Sequence, residues 1–216
     1  MAALIMGLAV FLGLRAVRCV ATHGRSLVFS WAVPLLMAPA LVRAGQGDWS
    51  GTVYGARIST QPGWEDIIID SMGTEFVDSY LVTGALSRQY AERHGGALAF
   101  EAEGQVAYHF GDESYWEFNA VPVVVRWEKF PWSRRLATSA AFGLGLSYTT
   151  ELPEIEVQLE GESHQWLVYW LMELTAGPVD APWAVSLRIH HRSVAFGLMG
   201  DEGGMNAVGL GVRHRF

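Results

Sequence analysis

From Trp183 to Ser193, apolar and polar side chains alternate without a break. Trp183, Val185, Leu187, Ile189, His191 and Ser193 share one parity, and Ala184, Ser186, Arg188, His190 and Arg192 the other. A period of two belongs to a β-strand, whose successive side chains leave opposite faces of the sheet. The C-terminal stretch alternates in the same way, with Val208, Leu210, Val212, His214 and Phe216 set against Gly209, Gly211, Arg213 and Arg215. Upstream, the same period predicts strands over 49–58, 76–90, 98–110, 116–127, 139–149 and 164–175. The clearest of these is 98–110. There Leu98, Phe100, Val106, Tyr108 and Phe110 oppose Glu101, Glu103, Gln105 and His109. In 116–127 the run Val121-Pro122-Val123-Val124-Val125 resists assignment to faces. Pro122, which has no N–H for the ladder, marks a bulge there.

Eight strands of this length match the span of tilted strands crossing a bilayer. The connections after the second, fourth and sixth strands are short, whereas those after the first (59–75) and fifth (the acidic stretch 151–163) are long. Short turns at one end and long loops at the other fit an up-and-down antiparallel barrel. With the N-terminus in the periplasm, the long loops lie outside. Composition agrees. Half the residues are hydrophobic and 17% are charged, with a mean hydropathy of +0.19, yet beyond the N-terminal region no apolar run reaches helix-spanning length. A soluble barrel with a ligand cavity would put its apolar face inside. Here the inner parity carries Glu, Gln, Arg and His. The expected fold is therefore an all-β, eight-stranded antiparallel transmembrane β-barrel over residues 45–216.

Residues 1–44 read as a leader. His23, Gly24 and Arg25 precede an apolar segment over 27–41, and Val42-Arg43-Ala44 ends it as a small-x-small cleavage site. Residues 1–22 add a second apolar patch with Arg15 and Arg18, so either the leader is long or translation starts downstream of Met1. An N-terminal transmembrane anchor is the alternative. The single cysteine, Cys19, falls in this leader without the small residues that precede a lipid-modified cysteine, and the remainder is free of thiols. Four of the 15 basic residues and none of the 22 acids belong to the leader, which leaves a formal charge of −11 beyond it. That balance argues against a nucleic-acid partner.

Chemistry enters at the end of the seventh strand. His191 and Ser193, two apart, are neighbours on the otherwise apolar face, near the long-loop end. Polar groups against hydrocarbon are costly, so such a pair on the lipid-facing surface is functional by default; the alternative is that both sit high enough to lie in headgroups or loop, where polarity costs little. An imidazole beside a hydroxyl is the minimal base and nucleophile for acyl transfer to serine. His190 and His191 leave opposite faces and cannot jointly chelate a metal, and neither a metal nor a cofactor is expected. Glu101, Glu103, His109, Arg188, His190 and Arg192 are expected to form a lumen network of paired charges.

The tail HHRSVAFGLMGDEGGMNAVGLGVRHRF resembles the lipid A 3-O-deacylases of the PagL type, chiefly over its last 35 or so residues. The resemblance implies an outer-membrane ester hydrolase, acting without a metal on an ester-linked acyl chain of lipid A in the outer leaflet. It implies Ser193 as nucleophile and His191 as general base. Two positions depart from the family pattern. Val194 stands where the family has an asparagine contributing to the oxyanion hole, and the family's acidic triad member falls on Asn206. Asn206 shares the parity of Val208 and Leu210, so it faces outward with His191 and can orient an imidazole. Asp201 and Glu202 in the preceding loop are alternative third members, and Gly203-Gly204 would let that loop fold back. The expected partner is lipid A or lipopolysaccharide in the bacterial outer membrane; dimerisation is left open. A catalytically silent structural or adhesive barrel is the rival reading.

Overall fold

A computed structural model describes residues 48–60, 67–68 and 74–216. The expected leader at 1–44 and most of the first long loop lie outside the described residues. Eight strands follow one another: β1 (Trp49–Ser59), β2 (Phe76–Arg93), β3 (Leu98–Gly111), β4 (Tyr115–Trp127), β5 (Ala137–Thr149), β6 (Trp166–Gly177), β7 (Trp183–Ser193) and β8 (Gly204–Arg215). Each pairs antiparallel with its neighbours, and β1 pairs with β8 from Ser50↔Arg215 to Ser59↔Asn206, closing the barrel. Closure leaves no unpaired edge, the condition for a sheet to cross a bilayer. Register shifts against both β3 and β5 fall on Val121–Val123, so the bulge forms at Pro122.

The two faces have opposite chemistry. Outward stand Val53, Val82, Leu86, Val106, Leu144, Leu146, Val185, Leu187, Leu210 and Val212, all exposed. At the long-loop end this band is rimmed by Tyr80, Tyr108, Phe110, Trp116, Tyr148 and Trp166, several of them in ring contact. At the other end stand Trp49, Trp127, Trp183 and Phe216. Paired aromatic girdles around an apolar belt are the outer surface of a membrane barrel.

Charge fills the lumen. Arg188 bonds Glu103 Oε1 at 2.7 Å and Glu173 Oε2 at 2.5 Å, while Arg126 bonds Glu101 and Glu173. Arg213 also reaches Glu101, and Glu117 lies between His109 (2.7 Å) and His190 (2.9 Å). Every carboxylate in this network has at least one cationic or imidazole partner, as burial demands. The network is wider than the six residues expected: Arg126, Glu117, Glu173 and Arg213 complete it. Arg192 stands apart, turned to the barrel mouth.

The acidic stretch expected to be loop contains a helix, α1 (Glu154–Glu160). No glycine or proline interrupts these seven residues, and Ile155 and Leu159, one turn apart, share a face. Ile155 is buried with Tyr54, Ile58, Leu81 and Met205 of the upper lumen, and Leu159 packs against the same cluster. Gly161, in the left-handed region (φ 90°), ends the helix with its N–H bonded to Val157 O. Tertiary burial thus selects helix where charge alone reads as solvated loop. Beside Ile155, Glu156 bonds Arg192 at 2.7 Å and accepts from Ser163 Oγ at 2.6 Å.

Burial pushes the Glu156 carboxyl up to about 7, outweighing the attraction of Arg192 and the Ser163 hydrogen bond. A carboxyl raised above its ordinary 4.5 favours the docked helix when protonated, so docking weakens as pH rises from about 4.5 to 7. Glu113, also raised by burial, accepts from the Glu154 N–H and acts in the same sense. Hydrogen exchange at amides 154–163, corrected for intrinsic rate, should show protection falling across that window. Glu156→Gln should remove most of the fall.

Candidate active site

The site is built by three adjacent strands at the long-loop end. In register across the outer face, Trp170 of β6 faces His191 of β7, which faces Asn206 of β8. One row nearer the loops, Val168, Ser193 and Gly204 stand abreast. The strand alternation that exposes Val185 and Leu187 carries His191 and Ser193 onto the same outward face, while His190 and Arg192 turn inward. His190 Nδ1 meets Tyr54 Oη at 2.8 Å and its Nε2 meets Glu117, so this histidine belongs wholly to the lumen.

His191 is 8% exposed despite its outward parity. Its ring stacks on Trp170, with centroids 4.3 Å apart and planes inclined by 29°. Its Nδ1 lies 2.6 Å from Asn206 Oδ1. An amide oxygen only accepts, so this contact makes Nδ1 the protonated nitrogen and leaves the Nε2 lone pair free. Ring plane and tautomer are thereby both set by neighbours. Ser193, half-buried, accepts from the Ala195 N–H at 3.4 Å. Among the described residues no hydrogen bond joins Ser193 Oγ to His191. Such contacts commonly tighten only when substrate is bound.

The loop acids stand elsewhere. Asp201 and Glu202 are exposed, and the Glu202 carboxylate lies against Gly161 at the end of α1. The partner His191 has is Asn206. Gly203 and Gly204 do fold the chain back: Gly204, at φ 138°, opens β8 so close to β7 that a Cβ would collide with the Arg192 carbonyl. By parity Trp170 is an outward residue of β6, with Trp166 and Val168. The cross-strand register of the short β6–β7 hairpin brings it to His191. Arg192, between the two candidate residues, fastens this strand end to the β5–β6 connection through Glu156 and through the His164 and Gln165 carbonyls. Among the described residues, no group of three His, Cys, Asp or Glu side chains gathers in a metal-holding arrangement.

No protein-family model matches this sequence, and no curated protein matches it either. Among solved structures, the outer membrane enzyme PagL is similar at a TM-score of 0.54 and 12% identity, over 77% of this chain and 99% of PagL. The chain has the fold of an outer-membrane β-barrel. Neisserial surface protein A (NspA) is also similar, at a TM-score of 0.47 and 10% identity over 80% of this chain and all of that one. At these identities the likeness is one of fold, and any activity must be argued from the site itself.

Proposed function

We propose that the protein is an outer-membrane ester hydrolase that removes an ester-linked acyl chain from lipid A. Ser193 is its nucleophile, His191 its general base, and Asn206 the residue that orients the base. The observation that carries this reading is the contact between His191 Nδ1 and Asn206 Oδ1 on the outward parity of β7 and β8, two residues from a serine hydroxyl of the same face. An imidazole, an amide and a hydroxyl in adjacent positions of an apolar belt are a functional-site hypothesis by default.

In the reaction, His191 Nε2 takes the Ser193 proton as Oγ bonds to the ester carbonyl carbon. The tetrahedral intermediate then expels the sugar oxygen, which recovers that proton from the imidazolium. Water, deprotonated by the same nitrogen, hydrolyses the acyl-serine and releases the fatty acid. Val194 offers no side-chain donor to the oxyanion. The Ala195 main-chain N–H, 3.4 Å from Ser193 Oγ, is the main-chain donor at the reacting centre that would have to turn to the oxyanion in its place. Mass spectrometry of lipid A from a Gram-negative host expressing the chain should show loss of one acyl chain. A fully acylated profile from correctly inserted protein would count against the reading.

Asn206 can be tested as a positioning residue. Asn206→Leu should lower kcat by about 10²-fold, the contribution of a well-oriented general base. Asn206→Asp, which keeps an oxygen at the same place, should stay within about tenfold of the parent. Equal loss in both variants would mean that Asn206 serves only the fold. The rival reading, a barrel without activity, draws on Val194 and on the absence of a direct His191–Ser193 hydrogen bond among the described residues. It predicts unchanged lipid A in every arm.

A further inference from the structure

The β7–β8 connection carries the two most exposed large apolar side chains among the described residues, Phe196 at 93% and Leu198 at 76%. Neither belongs to the barrel wall. Both follow within five residues of Ser193, beyond the end of the strand that holds it. A phenyl ring and an isobutyl group left wholly in water forgo the free energy of burial, so this placement asks for an apolar environment.

The segment is held in shape. Ala195 (φ 49°) and Phe196 (φ 61°) both occupy the left-handed region, which residues bearing a Cβ seldom adopt, and they do so in succession. Met199 N–H bonds Val194 O at 3.1 Å, and Leu198 N–H bonds Ala195 O at 3.4 Å, closing the turn. At its base Gly200 packs against the His164 imidazole, which a Cβ there would have to displace. The tip is thus a braced projection of the wall.

Its surroundings indicate what covers it. Below it on β7 and β8 run Leu187, Ile189, Val208 and Leu210, part of the outward apolar belt. After it come the exposed Asp201 and Glu202, suited to water and headgroups. An apolar tip that lies beyond a hydrocarbon-facing belt, separated from it by the His191 and Ser193 rows, and that is followed by charge fits the acyl region just beneath a lipid headgroup layer.

We infer that residues 195–198 insert into the acyl region of the outer leaflet, and that Phe196 and Leu198 form the platform on which the scissile acyl chain is presented to Ser193. Insertion rests on the loop alone. The platform role rests also on the hydrolase reading.

The two parts are tested separately with the full chain in phosphatidylcholine bilayers. In a Cys19→Ser background, Phe196→Cys or Asp201→Cys carries an environment-sensitive fluorophore. A label at 196 should be quenched by lipid bearing a nitroxide high on its acyl chain and be protected from iodide, with the reverse at 201. Iodide quenching at 196 as strong as at 201 overturns insertion, whether or not the protein is an enzyme.

For the platform, Phe196→Asn with Leu198→Ser keeps residues that tolerate the backbone while removing the apolar tip. It should slow hydrolysis of bilayer-embedded lipid A about tenfold more than hydrolysis of a water-soluble short-chain ester, a loss comparable to one buried apolar contact. Equal slowing of both substrates overturns the platform role. Hydrolysis of neither substrate by the parent chain would overturn the hydrolase reading and the platform with it, leaving the quenching result to decide insertion.

Discussion

Ser193→Ala should leave lipid A fully acylated under conditions in which the parent chain converts it. The expected loss exceeds about 10³-fold, because removing the nucleophile abolishes the covalent route and leaves only what substrate binding and oxyanion donors contribute. His191→Ala should cost nearly as much, and the double variant little more than either alone, since nucleophile and base act as one unit. Neither side chain contributes to the lumen network or to the β-ladder. Both variants should therefore insert, and both should keep the heat-modifiable migration of a folded barrel on gels. A variant that folds but retains most of the activity would move the nucleophile elsewhere.

The second large effect concerns the barrel itself. Arg188 is fully buried, bonded to Glu103 and Glu173, with its guanidinium 5.0 Å from the centroid of the Tyr54 ring. Arg188→Ala leaves Glu103 without a cationic partner in the lumen, with only Ser87 and Gln105 bonded to it, while Glu173 keeps Arg126. Breaking a buried ion pair by removing one member typically costs about 3–5 kcal/mol. Urea unfolding from bilayers should show a destabilisation of that order. Glu103→Gln in addition should recover part of it, because the uncompensated charge is then gone. Unchanged stability would mean that water in the lumen solvates these carboxylates and that the network is not what holds the wall.

Much of this architecture is legible in the chain because two solvents act on two faces. Alternation at Leu98 to Phe110 and at Trp183 to Ser193 gave the strand period and the correct faces, since hydrocarbon outside and charge inside leave opposite marks on successive residues. Where that contrast fails, the residue pattern no longer marks the faces. At Val121-Pro122-Val123 every residue is apolar and a bulge shifts the phase, which hid the inward turn of Arg126. The helix at Glu154–Glu160 was hidden for a different reason: four of its seven residues are acidic or amide, and its burial depends on a lumen cluster assembled from β1, β2, β3 and β8.

The candidate site divides in the same way. His191, Ser193 and Asn206 share a face by parity alone. Trp170 comes from another strand, and only the register of the hairpin brings it to the imidazole. The left-handed backbone of Ala195 and Phe196 has no local signature, because neither residue type favours it. It follows from the tight return of the chain between Ser193 and Gly204.

The proposed activity depends on Ser193 being a nucleophile whose proton is taken by His191 at the lipid surface. The most direct test is to react the bilayer-reconstituted protein with a long-chain fluorophosphonate and locate the adduct by peptide mass spectrometry. Phosphonylation of Ser193 is expected in the parent chain, and its loss in His191→Ala. A folded barrel whose Ser193 stays unmodified, or reacts equally well without His191, would contradict it.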